Sequence, residues 1–331
     1  MAGMRSLRRI FAIAQLTATE GLRQPAFFLL IFVTGGLIAL LPLFAFFNLG
    51  EEAKMVTDLG LSSILTFSTL LALLTASSTV TDEIEGRTAL TMLSKPLRRE
   101  EFLLGKYFGV AITACAMAAS MAPVLLVTLR SQKFLEVQDP YFVRAVAISM
   151  LLGVIVFGVL MVVRLLFGRG LGLVHAFWLA YALAVASVFA ILAFKGGPKA
   201  SWDWRLLAGI WFICLHACVI AAMAVALATR CTLVQSFIGT AAFFIVGHGS
   251  GALVAPFRDG DRRLSVFGAI VRAILPDLDQ FNITDALATA FMDKAVAIPG
   301  DVIAGSTLYA ILYSTALLAL AVALFRKREL G

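Results

Sequence analysis

Three short clusters hold side chains that could do chemistry. Cys214, His216 and Cys218 read C-x-H-x-C, and thiolates and imidazoles are common ligands of zinc and copper. The spacing argues against a metal: on a helix Cys214 and Cys218 share one face and His216 points away. Small, soft residues packing a helix account better for the triplet. The stretch "GHGSG" at 247–251 sets His248 among glycines. Gly247 and Gly251 have the small-xxx-small spacing that lets helices approach closely. A broken helix fits as well, and direct contact of His248 with a substrate is the sharper alternative. "PDLDQFNITD" at 276–285 has an acidic rhythm, but it lacks the glycine and terminal glutamate of a calcium loop. Asn282-Ile283-Thr284 matches a glycosylation sequon, which has no consequence in a bacterial host.

Motifs that break bonds are missing. Gly105 and Lys106 have no glycine five residues before them and are followed by Tyr107, so they do not close a G-x-x-x-x-G-K-[ST] phosphate loop. HExxH, GxSxG and paired CxxC patterns are also absent. The expectation is a chain with no catalytic residues, no bound cofactor and no metal.

The elements that must position these clusters are apolar blocks. The chain has 331 residues, 61% hydrophobic and 14% charged, where soluble domains carry about 45–50% apolar and about 25% charged residues. This composition predicts an all-α integral membrane protein. The net charge of +7 then reads as Lys and Arg flanking spans and facing anionic lipid, with no nucleic acid partner. Charge-free windows lie between residues 23 and 51, 58 and 82, 106 and 130, and 144 and 164. Four more lie between 169 and 195, 205 and 230, 230 and 258, and 301 and 326. Each reaches the roughly 20 residues that cross a bilayer. About eight spans follow, six to eight if the pair around Arg164–Arg169 is a bent helix or tight turn. Cys115, Cys214 and Cys218 fall inside windows and Cys231 at the edge of one, so no structural disulfide is expected.

Basic residues are concentrated in the segments that eight spans would leave cytoplasmic, which places both termini inside. No signal peptide is expected, because polar residues from Gln15 to Gln24 interrupt the early apolar run. Residues 1–25 predict an interfacial helix: Leu7, Ile10, Phe11, Ala14 and Ala18 recur at helical spacing while Arg8, Gln15 and Arg23 share another side. Residues 258–301 read as an extracytoplasmic cap with an interfacial helix over 264–275. The whole chain is one transmembrane domain.

The longest dense run of charge is "TDEIEGRTALTMLSKPLRREEFLLGKYFGV" at 81–110. Asp82, Glu83 and Glu85 resist entering lipid and end the second span. Leu90, Leu93 and Leu97 make one apolar stripe, with Arg87 and Lys95 off it. Pro96 breaks the chain and suits the first position of a new helix. Glu100 and Glu101 suit that helix's positive end. Gly105 and Gly109 are spaced for close packing. The pattern is a short amphipathic helix, a break, and a second helix entering the membrane; a lipid-surface loop and a docking element both fit it.

This run resembles the loop after the second span in permease subunits of ABC exporters of the second type. Within that family it is most similar to permeases grouped with multi-copper enzyme maturation systems. "ATEGLRQPAFFLLIF" and "LYAILYSTALLALAVALFRKREL" are similar to the family's first and last spans. The resemblance covers both ends and the loop, while 130–258 is generic apolar sequence. Many members have six spans. The resemblance implies a cytoplasmic coupling helix within 82–106, gripped by a separate ATPase subunit that binds ATP and Mg. The interface would comprise Glu83, Glu85, Gly86, Arg87, Leu90, Leu93, Ser94, Pro96, Arg98, Arg99 and Glu100. It also implies a second permease copy or paralogue, an inner-membrane location and alternating access. The competing expectation is an ion-coupled secondary transporter or channel, which would bury ionisable residues near the bilayer midplane. Here the windows hold only histidines. A lipid-modifying membrane enzyme is the third, and the acidic cluster at 82–85 has no histidine beside it.

Overall fold

The computed structural model describes residues 2–45, 52–81, 98–136, 140–167, 172–195, 205–257, 275–283 and 299–326. Among them every regular element is helical. In chain order these are α1 (Ala2–Arg23), α2 (Pro25–Ala45), α3 (Glu52–Ala76), α4 (Arg99–Glu136) and α5 (Pro140–Phe167). There follow α6 (Leu173–Lys195), α7 (Leu206–Ala228), α8 (Leu233–His248), α9 (Ser250–Val254) and α10 (Gly300–Arg326). A π-helical turn, Ser77–Thr81, extends α3, and short 3₁₀ turns occupy Ala255–Phe257 and Asp279–Phe281.

Each charge-free window contains a helix. Five helices are long and apolar enough to cross a membrane: Pro25–Pro42, Ala53–Thr79, Arg99–Arg130, Leu206–Ala228 and Gly300–Phe325. A sixth is added if α8 and its continuation Ser250–Phe257, bent by 62°, count as one span. The apolar stretches of α5 and α6, Leu151–Leu166 and Val174–Ala190, are shorter. The protein is therefore membrane-embedded and helical, with five to six candidate spans among the described residues; α5 and α6, of 28 and 23 residues, lie over two further windows of the eight.

The pillar of the bundle is α7, 72% of whose apolar window is buried. It is apolar on all sides, as an enclosed helix must be. Around it pack α3, α4, α8 and α10, while α2 lies against α3 and α4. The α5–α6 pair joins through aromatic rings: Phe28 meets Phe177 edge-on at 5.0 Å, and Trp178 lies 6.1 Å from Phe27. Apolar side chains on the outer faces stay exposed, among them Leu151, Ile155 and Val159 on α5 and Leu308, Ile311 and Leu312 on α10. Hydrocarbon is the solvent those faces suit.

Hydroxyls scattered through the spans mostly satisfy themselves. Thr34, Thr57, Thr113, Thr128, Thr240 and Thr315 each donate to the carbonyl four residues earlier. This local bond hides a polar group from lipid without a partner helix. These residues therefore carry no implication about cargo.

Candidate functional site

Two sites stand out: the charged end of the bundle, where residues 82–97 connect α3 to α4, and a histidine cradle nearer the opposite end. Residues 82–97 lie outside the described residues, so Glu83, Glu85, Gly86, Arg87, Leu90, Leu93, Ser94 and Pro96 do too. The two stubs that hold the connection are described.

On the entering side, α3 loosens into the π turn Ser77–Thr81. There the Gln24 amide donates to the Ser78 hydroxyl at 2.8 Å, tying the π turn to the α1–α2 bend. On the leaving side, α4 starts with half of a capping box. The Arg98 N–H donates to Glu101 Oε2 at 3.3 Å, satisfying a donor that the helix cannot reach. Arg9 of α1 lies 3.5 Å from the same carboxylate oxygen, and the Ser6 hydroxyl bonds to it as well. Glu101 is thus buried but fully engaged.

The rest of the charged end is tied to the last helix. Arg99 donates to the Phe325 carbonyl at 3.1 Å and sits over its ring at 5.7 Å. Phe325 stacks on Phe102 with centroids 6.2 Å apart. Arg230, after α7, donates to the Leu324 carbonyl at 3.1 Å. Two cations therefore take the carbonyls that end α10, where the helix dipole favours positive charge. Lys106 is 1% exposed, with Nζ 4.0 Å from Glu20 and 5.8 Å from the Phe102 ring centre.

Along this end α1 is packed against α4. Arg9 meets Glu101, Ile13 meets Gly105, Thr17 meets Gly109 and Gly21 meets Thr113. Each pair is offset by 92 positions, so the two helices run parallel in one unbroken register. A Cβ at Gly105 would lie 2.6 Å from Ile13 Cβ, and one at Gly109 would lie 2.9 Å from the Ala14 carbonyl oxygen. Only glycine admits this approach. The apolar stripe of α1 is split accordingly: Ala14 and Ala18 are buried, while Leu7 and Phe11 are 67% and 70% exposed.

The second site brings together residues far apart in sequence. His216 of α7 is fully buried, and its Nδ1 shares a 3.2 Å hydrogen bond with the Thr69 hydroxyl of α3. Its Nε2 is buried and has no hydrogen-bond partner among the described residues. The His248 ring lies 5.4 Å away, with Phe244 at 5.6 Å and Phe281 at 6.2 Å. His248 Nδ1 is 3.1 Å from the Phe244 carbonyl, to which it donates. Phe281 arrives on residues 275–283, which fold into the bundle: Leu278 and Phe281 are buried, and Leu278 fills the space beside Gly247. The Asp277 N–H accepts support from the last helix by donating to the Tyr309 hydroxyl at 2.9 Å.

The candidate residues from sequence therefore separate. Arg98, Arg99 and Glu100 flank the undescribed connection, and Glu101 beside them binds the Arg98 N–H and Arg9. Glu100 is half-buried. Gly105 and Gly109 stand at close helix contacts and Gly247 lies under Leu278, whereas Gly251 is exposed and a Cβ there would meet only Asp279, at 4.0 Å. Between Gly247 and Gly251 the helix breaks at Gly249. Cys214 and Cys218 face away from His216, toward Cys115, whose thiol lies 3.7 Å from the Cys214 carbonyl oxygen. All four cysteines are free thiols. Among the described residues no three His, Cys, Asp or Glu side chains are placed to hold a metal ion. The expected interfacial helix at 264–275 lies outside the described residues, save its last residue. The meeting of His216 with His248 has no local signal; only a helix pairing across the α7–α8 turn brings them together. No protein-family model matches the chain, and no curated protein matches it.

Proposed function

We propose that this chain is the transmembrane permease subunit of an ATP-driven ABC transporter of the second type, an exporter. A separate ATPase subunit, carrying ATP and Mg, would dock on the cytoplasmic connection 82–97. The observation that carries the reading is the way that connection is mounted. Its C-terminal end is the first turn of α4, which is held by α1 through Glu101 and Lys106 and by α10 through Arg99. A push on the connection therefore moves α1, α4 and α10 together, and α4 touches α2, α3 and α7 in turn. Alternating access needs such a rigid-body input. The resemblance of 81–110 to the coupling loop of such permeases supports the same reading. In it the chain has both termini in the cytoplasm and works with a second copy or a paralogue.

The test is a detergent pull-down of wild type and Leu90→Asp/Leu93→Asp, scored for a co-purifying ATPase and ATP turnover. The expected result is an ATPase on wild type that is lost on the variant, with both chains equally folded. The second reading is an ion-coupled transporter, and the pairing of buried His216 with half-buried His248 favours it, since ionisable residues inside a bundle mark ion pathways. Wild type that binds no ATPase, with transport abolished by His216→Phe, would replace the first reading with this one.

A further inference from the structure

A cavity of about 260 Å³ opens where α1, α5 and α6 meet, lined by Arg23, Arg164, Gly172, Val174 and His175. Three of these five residues are basic and none is acidic. They come from three separate elements: the last residue of α1, the final turns of α5 and the start of α6. At Gly172 the chemistry converges. A Cβ built there would be 3.4 Å from His175 Nδ1 and 3.5 Å from Arg164 Nη1. The Ala176 N–H donates to the Gly172 carbonyl at 2.9 Å, so this rim lies at the start of α6 and carries the partial positive charge of a helix N-terminus.

We infer that this cavity binds a phosphate-bearing group. Two guanidinium groups, an imidazole and a helix N-terminus are the donors that phosphate oxygens take. The surroundings favour a lipid headgroup as the source. Leu165 and Leu166, beside Arg164, are 83% and 73% exposed, so an apolar surface for acyl chains adjoins the basic cavity. Arg23 stands one residue before the bend into α2, a candidate span. An anionic phospholipid would seat its phosphate in the cavity and its chains along the end of α5. It would tie the α5–α6 pair to α1. The inference does not rest on the transporter reading, since it needs only the cavity and a membrane.

The test uses the full-length chain in nanodiscs of phosphatidylcholine with a minor share of phosphatidylglycerol. Retained phosphatidylglycerol is counted by native mass spectrometry after gentle detergent release. Arg23→Gln/Arg164→Gln is expected to lower retention about thirtyfold, in line with the worth of two basic residues near anionic lipid. Arg8→Gln/Lys54→Gln removes the same charge elsewhere and is expected to leave retention unchanged. Gly172→Leu keeps every charge but fills the cavity, and is expected to release the lipid too; this variant separates a built site from diffuse attraction. Titrating inorganic phosphate into chain held in pure phosphatidylcholine distinguishes the sources. Saturable phosphate binding lost in the same variants, without retained phosphatidylglycerol, assigns the cavity to a soluble phosphate. Equal retention by wild type and both cavity variants, with no phosphate binding, overturns the inference.

Discussion

At the residue scale, the contacts that matter most are made by groups with no room to change. Gly105 and Gly109 lie under Ile13, Thr17 and the α1 backbone. Gly105→Val is expected to lower stability by about 1–3 kcal/mol through overpacking, read as a drop in thermal unfolding temperature in detergent. Gly36→Ala, where a Cβ meets nothing within 4 Å, is the matched control and should leave it unchanged or raise it. Glu101 makes a second case. Its side chain is 6% exposed and serves Arg9, Ser6 and the Arg98 N–H. Glu101→Ala should cost about 1–3 kcal/mol by stranding those donors, in the same melt. The glycine spacing was legible from sequence because close packing needs only a small residue every fourth position. The meeting of Glu101 with Arg9 was not, because the partner helix lies 92 positions away and leaves no local signal.

At the element scale, the π turn Ser77–Thr81 is the last regular structure before the undescribed connection. A π turn carries one residue more than an α-helix would. Deleting Ser77 should restore α geometry and swing the departing chain by about 100°. In the permease reading the variant folds and reaches the membrane but no longer supports ATPase stimulation; unchanged stimulation would show that the exit direction is immaterial. Helix existence was legible throughout, since long charge-free windows admit little else. Helix pairing was not: hydropathy between charges marks a helix such as α5 or α6 without saying which neighbours it packs on. The parallel pairing of α1 with α4 was also hidden. Its amphipathic pattern reads equally as a helix on lipid or on a protein groove.

At the scale of the whole molecule, the two ends are closed differently. The charged end is laced by Arg99, Arg230 and Lys106. The opposite end is stoppered by residues 275–283, with Leu278 and Phe281 inserted over the His216 cradle. Truncating either anchor removes a buried side chain, at a cost of about 2–5 kcal/mol. Leu278→Ala/Phe281→Ala is expected to raise hydrogen exchange across 275–283 at least tenfold while α4 and α7 stay protected. Exchange rising everywhere would mean the segment is part of the core rather than a separable stopper.

The constant offset between α1 and α4 also sets an order of events in time. Each α1 contact residue leaves the ribosome 92 positions before the α4 residue it will meet. At roughly 5–20 residues per second of synthesis, that is an interval of roughly 5–20 s. During it α1 is a complete amphipathic helix with no partner, and its Leu7 and Phe11 edge has only the membrane surface to lie on. The helix that the finished bundle holds by register begins as one held by lipid, and α4 collects it on arrival.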